Sequence, residues 1–248
     1  MLIKIRVLWY RLKYLYHSLL SKGHHEDLNK LAEIFKTDKA GLHHYTPHYN
    51  SHFQRFKDKK VNILEIGVGS YHKKYKGGNS LRMWKEYFQK GNIYAIDIHD
   101  KSPLQENRIK IFKGSQIDEG FLMNVVDEIG EIDIIIDDGS HINEHVIKTF
   151  EILFPKLKDG GLYVVEDVQT SYWEDHGGDS NNLKNPKTMM NFFKSLTDGL
   201  NHKEFLIPNY EPSYFDKKIT SMHFYHNLIF VYKGNNDEES NIVVNNQK

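Results

Sequence analysis

The sequence contains no cysteine. That absence excludes disulfides, thiolate catalysis and cysteine-ligated zinc. No apolar run approaches the roughly 20 residues that a membrane-spanning helix needs. Neither sign of charge is in excess: 33 Lys and Arg balance 33 Asp and Glu, with 15 His left to titrate. A dedicated nucleic-acid binder needs a basic surplus for its phosphate contacts, so no nucleic-acid partner is expected. What is present is an ordinary globular balance, 39 % hydrophobic and 27 % charged. Its 248 residues correspond to one or two domains, long enough to bury a core without a covalent staple.

Acidic residues are missing from the first 25 positions, which do contain Lys4, Arg6, Arg11, Lys13 and Lys22. Val7, Leu8, Trp9, Leu12, Leu15, Tyr16, Leu19 and Leu20 recur at roughly helical spacing. The scattered cations and the lack of a small-residue cleavage site argue against a signal peptide, so a cytoplasmic protein is expected. Two roles fit residues 1–22. One is packing on the protein's own domain or on a partner subunit; the other is a basic amphipathic helix on an anionic membrane surface.

From residue 60 short β-branched runs alternate with helical stretches. Strands are predicted at 61–66, 92–97, 108–112, 132–137 and 162–166, the last entered through a turn at Gly160-Gly161. Helices are predicted at 80–89, 121–128 and 144–157. This alternation indicates an α/β fold with a mostly parallel sheet covered on both faces. Residues 219–225 and 228–233, separated by His226-Asn227, have hairpin spacing and predict a terminal antiparallel pair. Residues 172–187 read as a loop.

In open α/β sheets, ligands sit beyond the carboxyl ends of the strands. Four of the predicted strands end in acids: Glu65, Asp97, Asp137 with Asp138, and Glu166 with Asp167. Helix capping would account for one or two of these, but not for adjacent pairs on two strands. The turn Glu65-Ile-Gly67-Val-Gly69-Ser70 supplies glycines that permit close backbone approach to a ligand. A dinucleotide fingerprint would need glycine where His72 stands, and residues 71–79 intervene before the next helix. The E-x-G-x-G pattern instead resembles the first motif of class I S-adenosylmethionine-dependent methyltransferases. That resemblance implies that Glu65, Gly67 and Gly69 line the methionine end of the cofactor and that Asp97 accepts from its ribose hydroxyls.

Three carboxylates on adjacent strand ends suit a hard divalent cation such as Mg²⁺. His141, three residues beyond Asp138, is placed to act as a base beside it. The alternative is that Asp138 and Asp167 cap helices and His141 lies idle on the surface.

Six runs together carry a more specific resemblance. They are Thr37-Asp-Lys39, His44-Tyr-Thr-Pro-His-Tyr49, Leu64-Glu-Ile-Gly-Val-Gly69, Gly78-Asn-Ser-Leu-Arg-Met-Trp84, Ile136-Asp-Asp-Gly-Ser-His-Ile-Asn143 and Glu166-Asp-Val-Gln-Thr-Ser-Tyr172. They resemble the metal-dependent sugar O-methyltransferases of macrolide tailoring, over roughly residues 35–233. The resemblance implies a class I methyltransferase fold with a seven-stranded sheet, Asp138, Glu166 and Asp167 as Mg²⁺ ligands, and His141 as catalytic base. It adds Gln116 and Asp137 to the residues that hold S-adenosylmethionine. The acceptor it implies is a sugar-containing small molecule, and a homo-oligomer is expected. Larger members of that family carry an additional N-terminal domain.

The expected organisation is a helical appendage over 1–35, a catalytic domain over 36–234 and a flexible tail over 235–248. Tyr45, Tyr49 and Tyr172 are candidates to contact the acceptor, with packing in the core as the equal alternative. His44, His48 and His52 have i, i+4 spacing, but Pro47 should start a helix that leaves His44 outside it, an incomplete zinc site. Two other functions use the same residues: methylation of a catechol-like diol, and a non-catalytic carbohydrate- or nucleotide-binding protein that keeps the pocket.

Overall fold

Nearly unbroken Ile, Leu and Val give two neighbouring strands at the heart of the sheet, β1 (Asn62–Ile66) and β4 (Ile132–Asp137). Almost every side chain on both is buried, as a parallel sheet covered by helices on both faces requires. The computed structural model describes residues 2–241, with side chains from Leu12 onward. By contacts the chain divides into residues 1–139 and 140–248.

The first half contains α1 (Leu2–Ser21), α2 (Leu28–Phe35), α3 (Thr46–Phe53), β1, α4 (Asn79–Tyr87), β2 (Asn92–Asp97), β3 (Ile109–Lys113), α5 (Glu119–Ile129) and β4. Its strands are all parallel, with β1 between β2 and β4, and β3 outside β2. The second half contains α6 (Asn143–Leu153), β5 (Leu157–Glu166), α7 (Met189–Ser195), α8 (Tyr214–Lys218), β6 (Ile219–Tyr225) and β7 (Leu228–Lys233). There β7 runs antiparallel to both β5 and β6. The strand order β3-β2-β1-β4-β5-β7-β6 is the seven-stranded, mostly parallel arrangement expected, closed by the predicted hairpin.

Local chemistry fixes the helix starts. Asp27 accepts from the Lys30 amide at 2.9 Å and Asp118 from the Phe121 amide at 3.0 Å, each satisfying a donor that the helix itself leaves open. Ser213 and Asp216 form a reciprocal capping box at the start of α8.

Three local expectations differ from the structure. The helix predicted to Leu157 ends at Leu153, because Pro155 converts the next residues into a 3₁₀ turn over Phe154–Lys156. Gly160-Gly161 is no turn; β5 runs through both. The segment predicted as loop, 172–187, contains a 3₁₀ turn at Glu174–His176, and another at Val168–Tyr172 leads into it. The expected flexible tail also begins in a hydrogen-bonded stretch. Asn236 Nδ2 donates to the carbonyls of Gly199, Leu200 and Asp216, and the Asn241 amide donates to Glu204. Residues 242–248 lie outside the described ones.

The largest side chains of the first half meet between α3 and α4. Phe53 lies 4.8 Å from the Tyr49 ring and 5.4 Å from each of Trp84 and Phe88, all essentially without exposure. The sheet-facing end of this cluster is polar. Trp84 Nε1 donates to Glu65 Oε2 at 2.7 Å, and Ser80 Oγ donates to Oε1 at 2.6 Å. Glu65 is completely buried in β1, and that burial pushes its pKa up to about 7. The nearby negative charge of Asp138 adds to the rise, while Lys39 and the two hydrogen bonds oppose it.

Two outcomes follow from this packing. Phe53→Ala should cost about 3–5 kcal/mol in equilibrium denaturation, the usual range for a truncated core aromatic; a loss under about 1 kcal/mol would show that the cluster collapses freely. Glu65 holds its proton more tightly folded than unfolded. Its stabilisation is therefore complete below its ordinary pKa of 4.5 and lost as pH rises through about 7. Glu65→Gln keeps the shape and removes the titration, so its melting temperature should fall less than the wild type's between pH 5 and pH 8. Equal falls would contradict the shifted pKa.

Candidate active site

The turn after β1 is shaped by what its glycines lack. Gly67 has φ +97°, and a Cβ there would lie 2.1 Å from the Asp138 carbonyl oxygen, so no side chain fits between β1 and the end of β4. Gly69, at φ +77°, has open space where its Cβ would project. The loop returns on itself, with the Gly78 amide donating to Val68 O at 2.7 Å, and α4 starts only after it. Lys101, fully buried, ties this loop from outside by donating to the carbonyls of Gly69, Lys73 and Lys76 at 2.7–3.2 Å. Its backbone position gave no hint of this, because three scattered carbonyls leave no residue-type pattern.

Asp97 ends β2 half-buried beside that turn. Its Oδ2 accepts from the Val68 amide at 3.1 Å and its Oδ1 from the His99 amide at 2.8 Å. Each oxygen keeps a lone pair for a further donor. Asp137 and Gln116 are also brought together: Gln116 Nε2 donates to Asp137 Oδ1 at 3.3 Å, with both residues buried. Gly139 lets Gln116 approach, since its Cβ would lie 2.4 Å from Gln116 Oε1. The Glu65 oxygens each accept one hydrogen bond, Oε1 from Ser80 Oγ and Oε2 from Trp84 Nε1.

The residue that sequence reasoning left without a role is Lys39. Its ammonium is wholly buried, donates to Asp138 Oδ2 at 2.9 Å and lies 4.0 Å from Glu65 Oε1. A run that served only as a family marker thus supplies the counter-charge of two strand-end acids. Tyr45 and Tyr49 are buried, Tyr49 in the aromatic cluster and Tyr45 with its ring stacked 5.0 Å from His43. Core packing is therefore the role that the structure gives Tyr49. Pro47 does sit in the first turn of α3, with His44 outside it. Among the described residues His44, His48 and His52 form no group that could hold a metal.

In the second half, His141 and Asp167 both adopt φ +55°, a left-handed conformation uncommon for residues with side chains. Thr170 holds both backbones in place, its hydroxyl donating to His141 O at 2.8 Å and Asp167 O at 3.1 Å. His141 Nε2 is then 3.7 Å from Asp167 Oδ2, and both side chains remain partly accessible. Asn143 braces the same corner by donating to Thr170 O and His176 O and accepting from the Met189 amide at 2.7 Å. Glu166 is buried at the end of β5, opposite Leu228. Tyr172 ends the 3₁₀ turn with 39 % exposure.

Capping does not explain these acids. The residue before α6 is Ile142, not Asp138, and Asp167 makes no side-chain cap to the 3₁₀ turn that it precedes. Connectivity keeps Asp138 near His141, because three residues span at most about 10 Å. Six other described non-glycine residues share this left-handed backbone, so at His141 and Asp167 it sets side-chain direction without by itself marking a site.

No protein-family model matches the chain. Curated relatives do. Demethylmacrocin O-methyltransferase of Streptomyces fradiae is 47 % identical over 216 residues, 86 % of this chain and 54 % of that protein. Mycinamicin VI 2''-O-methyltransferase of Micromonospora griseorubida is 47 % identical over 214 residues, with the same shares. A tetracenomycin-C rhamnosyl 2'-O-methyltransferase of Streptomyces olivaceus is 46 % identical over 213 residues, 86 % of this chain and 56 % of that one. Among solved structures, the mycinamycin methyltransferase MycE in complex with Mg and SAH superposes with a TM-score of 0.84 at 45 % identity. That match covers 88 % of this chain and 57 % of the MycE chain. The chain spans about half the length of the curated relatives it matches. Over that shared span, in sequence and in fold, it belongs to the S-adenosylmethionine-dependent sugar O-methyltransferases.

Proposed function

We propose that this chain transfers a methyl group from S-adenosylmethionine to a sugar hydroxyl of a glycoside, nucleotide sugar or glycoconjugate, with Mg²⁺ as the required metal. The observation that carries this reading is the set of strand-end acids that cap no helix, in a chain 45 % identical to a methyltransferase solved with Mg and SAH. A related MycE structure also holds mycinamycin VI, an acceptor of the class proposed.

The residues present fit both groups. Asp138, Glu166 and Asp167 offer the hard oxygen donors that Mg²⁺ prefers. The open side of Gly69 and the remaining lone pairs of Asp97 suit a nucleoside ligand, with Gln116 and Asp137 beside them. When bound, the cation supplies Lewis acidity and the cofactor supplies the methyl group.

The chain's own residues do the rest. Lys39 compensates the charge of Asp138 and fixes its carboxylate by a direct hydrogen bond. Glu65 positions α4 through Ser80 and Trp84 and so shapes the turn from behind. The His141 imidazole takes the proton from the acceptor hydroxyl, because an alcohol is too little ionised at neutral pH to attack unaided. Thr170 sets the direction of that imidazole through the two carbonyls it holds. Tyr172 offers an exposed ring against which a sugar can lie.

Two experiments test this. Incubated with S-adenosylmethionine, Mg²⁺ and a panel of glycosides and nucleotide sugars, the protein should release S-adenosylhomocysteine; EDTA should abolish the release and added Mg²⁺ restore it. Full turnover in metal-stripped protein would contradict the metal's role. His141→Ala should lower kcat by about 10²–10⁴-fold, the usual range for a general base. Its melting-temperature shift with S-adenosylhomocysteine should match the wild type's. Wild-type kcat in that variant would remove His141 from proton transfer.

A further inference from the structure

From Leu12 onward, helix α1 is anchored by its polar and aromatic face and leaves its leucine face exposed. On the packed side, Tyr14 Oη donates to Asn79 Oδ1 at 3.0 Å, and its ring lies 3.7 Å from the Arg82 guanidinium. Ser18 Oγ donates to Glu86 Oε1 at 3.0 Å, and His17 meets the Phe35 ring edge-on at 5.8 Å. On the other side Leu12, Leu15, Tyr16, Leu19 and Leu20 are 44–60 % exposed. These five follow i, i+3, i+4, i+7, i+8 spacing, a single stripe along the helix. A soluble domain ordinarily turns such a stripe inward; this helix turns it outward.

The charge around the stripe says what covers it. No acid occurs before Glu26, while Lys4, Arg6, Arg11, Lys13 and Lys22 all do. The domain beneath adds more cations. Lys13 has its pKa lowered by partial burial and then by neighbouring positive charges, among which Lys36 and Lys76 are exposed while Arg82 is buried and paired with Glu106. Two copies of the chain pairing through this stripe would bring these cations together with no acid in the segment to offset them. An anionic lipid surface meets both demands, with acyl chains for the leucines and headgroups for the lysines. Tyr16 adds an aromatic ring with a polar tip, suited to that boundary. No described helix is long and apolar enough to cross a membrane, so the contact lies in the plane of the surface.

We propose that α1 docks the protein on anionic membranes, its Leu12–Leu15–Leu19 stripe entering the headgroup–acyl boundary and Lys13 and Lys22 resting on the headgroups. This does not depend on the reaction proposed above. The test is flotation of the full chain with phosphatidylcholine vesicles containing 30 mol % phosphatidylglycerol, roughly the charge density at which each nearby cation adds about 1 kcal/mol, or about five-fold, to partitioning. The protein should float with these vesicles, far less with pure phosphatidylcholine, and less as salt rises. Lys13→Gln with Lys22→Gln should weaken partitioning roughly 25-fold. Leu15→Glu with Leu19→Glu should abolish it. Because these positions are exposed or nearly so, both variants should melt with the wild type, which separates lost docking from lost folding. Failure of the wild type to float, or equal flotation with uncharged vesicles, overturns the proposal. So does lipid-free self-association that the leucine variant abolishes, which would make a second copy the occupant.

Discussion

A buried ammonium between two carboxylates is the constraint on which the first half of the site depends. Lys39 has no exposure, and its Nζ lies 2.9 Å from Asp138 and 4.0 Å from Glu65. A charge removed from water is tolerated only when paired and hydrogen-bonded, and removing one member leaves the others uncompensated. Here the pairing joins the loop before α3 to the ends of both β1 and β4. Glu65 carries the constraint into α4 through Ser80 and Trp84, and Trp84 carries it into the aromatic cluster with Tyr49 and Phe53. The charge at the strand ends and the packing of the helical layer are therefore one connected arrangement.

The second half meets a different demand by different means. His141 and Asp167 are held in left-handed backbone by Thr170, and Asn143 holds Thr170. These contacts are polar, and the packing of the same half is supplied by the Phe150 cluster and the β5–β7–β6 ladder. That division of labour suits catalysis. A rigid sheet supplies stability, and short turns beyond its strand ends aim the polar groups.

Sequence periodicity located β2, β4, β6 and β7 because each is a short β-branched run bounded by turn residues, the pattern for which local signals are least ambiguous. It misread Gly160-Gly161, since glycine in a strand and glycine in a turn look alike without the partner strand. The acids at strand ends were legible because strand ends are where α/β folds place ligands. Lys39 was not, for a physical reason: its partner Asp138 is 99 residues away in the chain, and a lysine's burial follows from tertiary packing alone. Lys101 escaped notice for the same reason, and for Tyr49 the choice between core packing and acceptor contact stayed open until the tertiary packing decided it. The outward leucine stripe of α1 was half legible, because spacing shows that a face exists but not which way it turns.

Equilibrium denaturation of Lys39→Met at neutral pH tests most directly whether this buried cation organises the strand ends. Methionine fills nearly the same volume without the charge, so the account predicts a loss of about 3–5 kcal/mol, the range for breaking a buried ion pair by removing one partner. It further predicts that Glu65→Gln costs less in the Lys39→Met background than in the wild type, because the buried Glu65 is protonated at neutral pH once Lys39 no longer lowers its pKa. Stability within about 1 kcal/mol of the wild type in the single variant, with equal costs of Glu65→Gln in both backgrounds, would show that the three groups do not depend on one another.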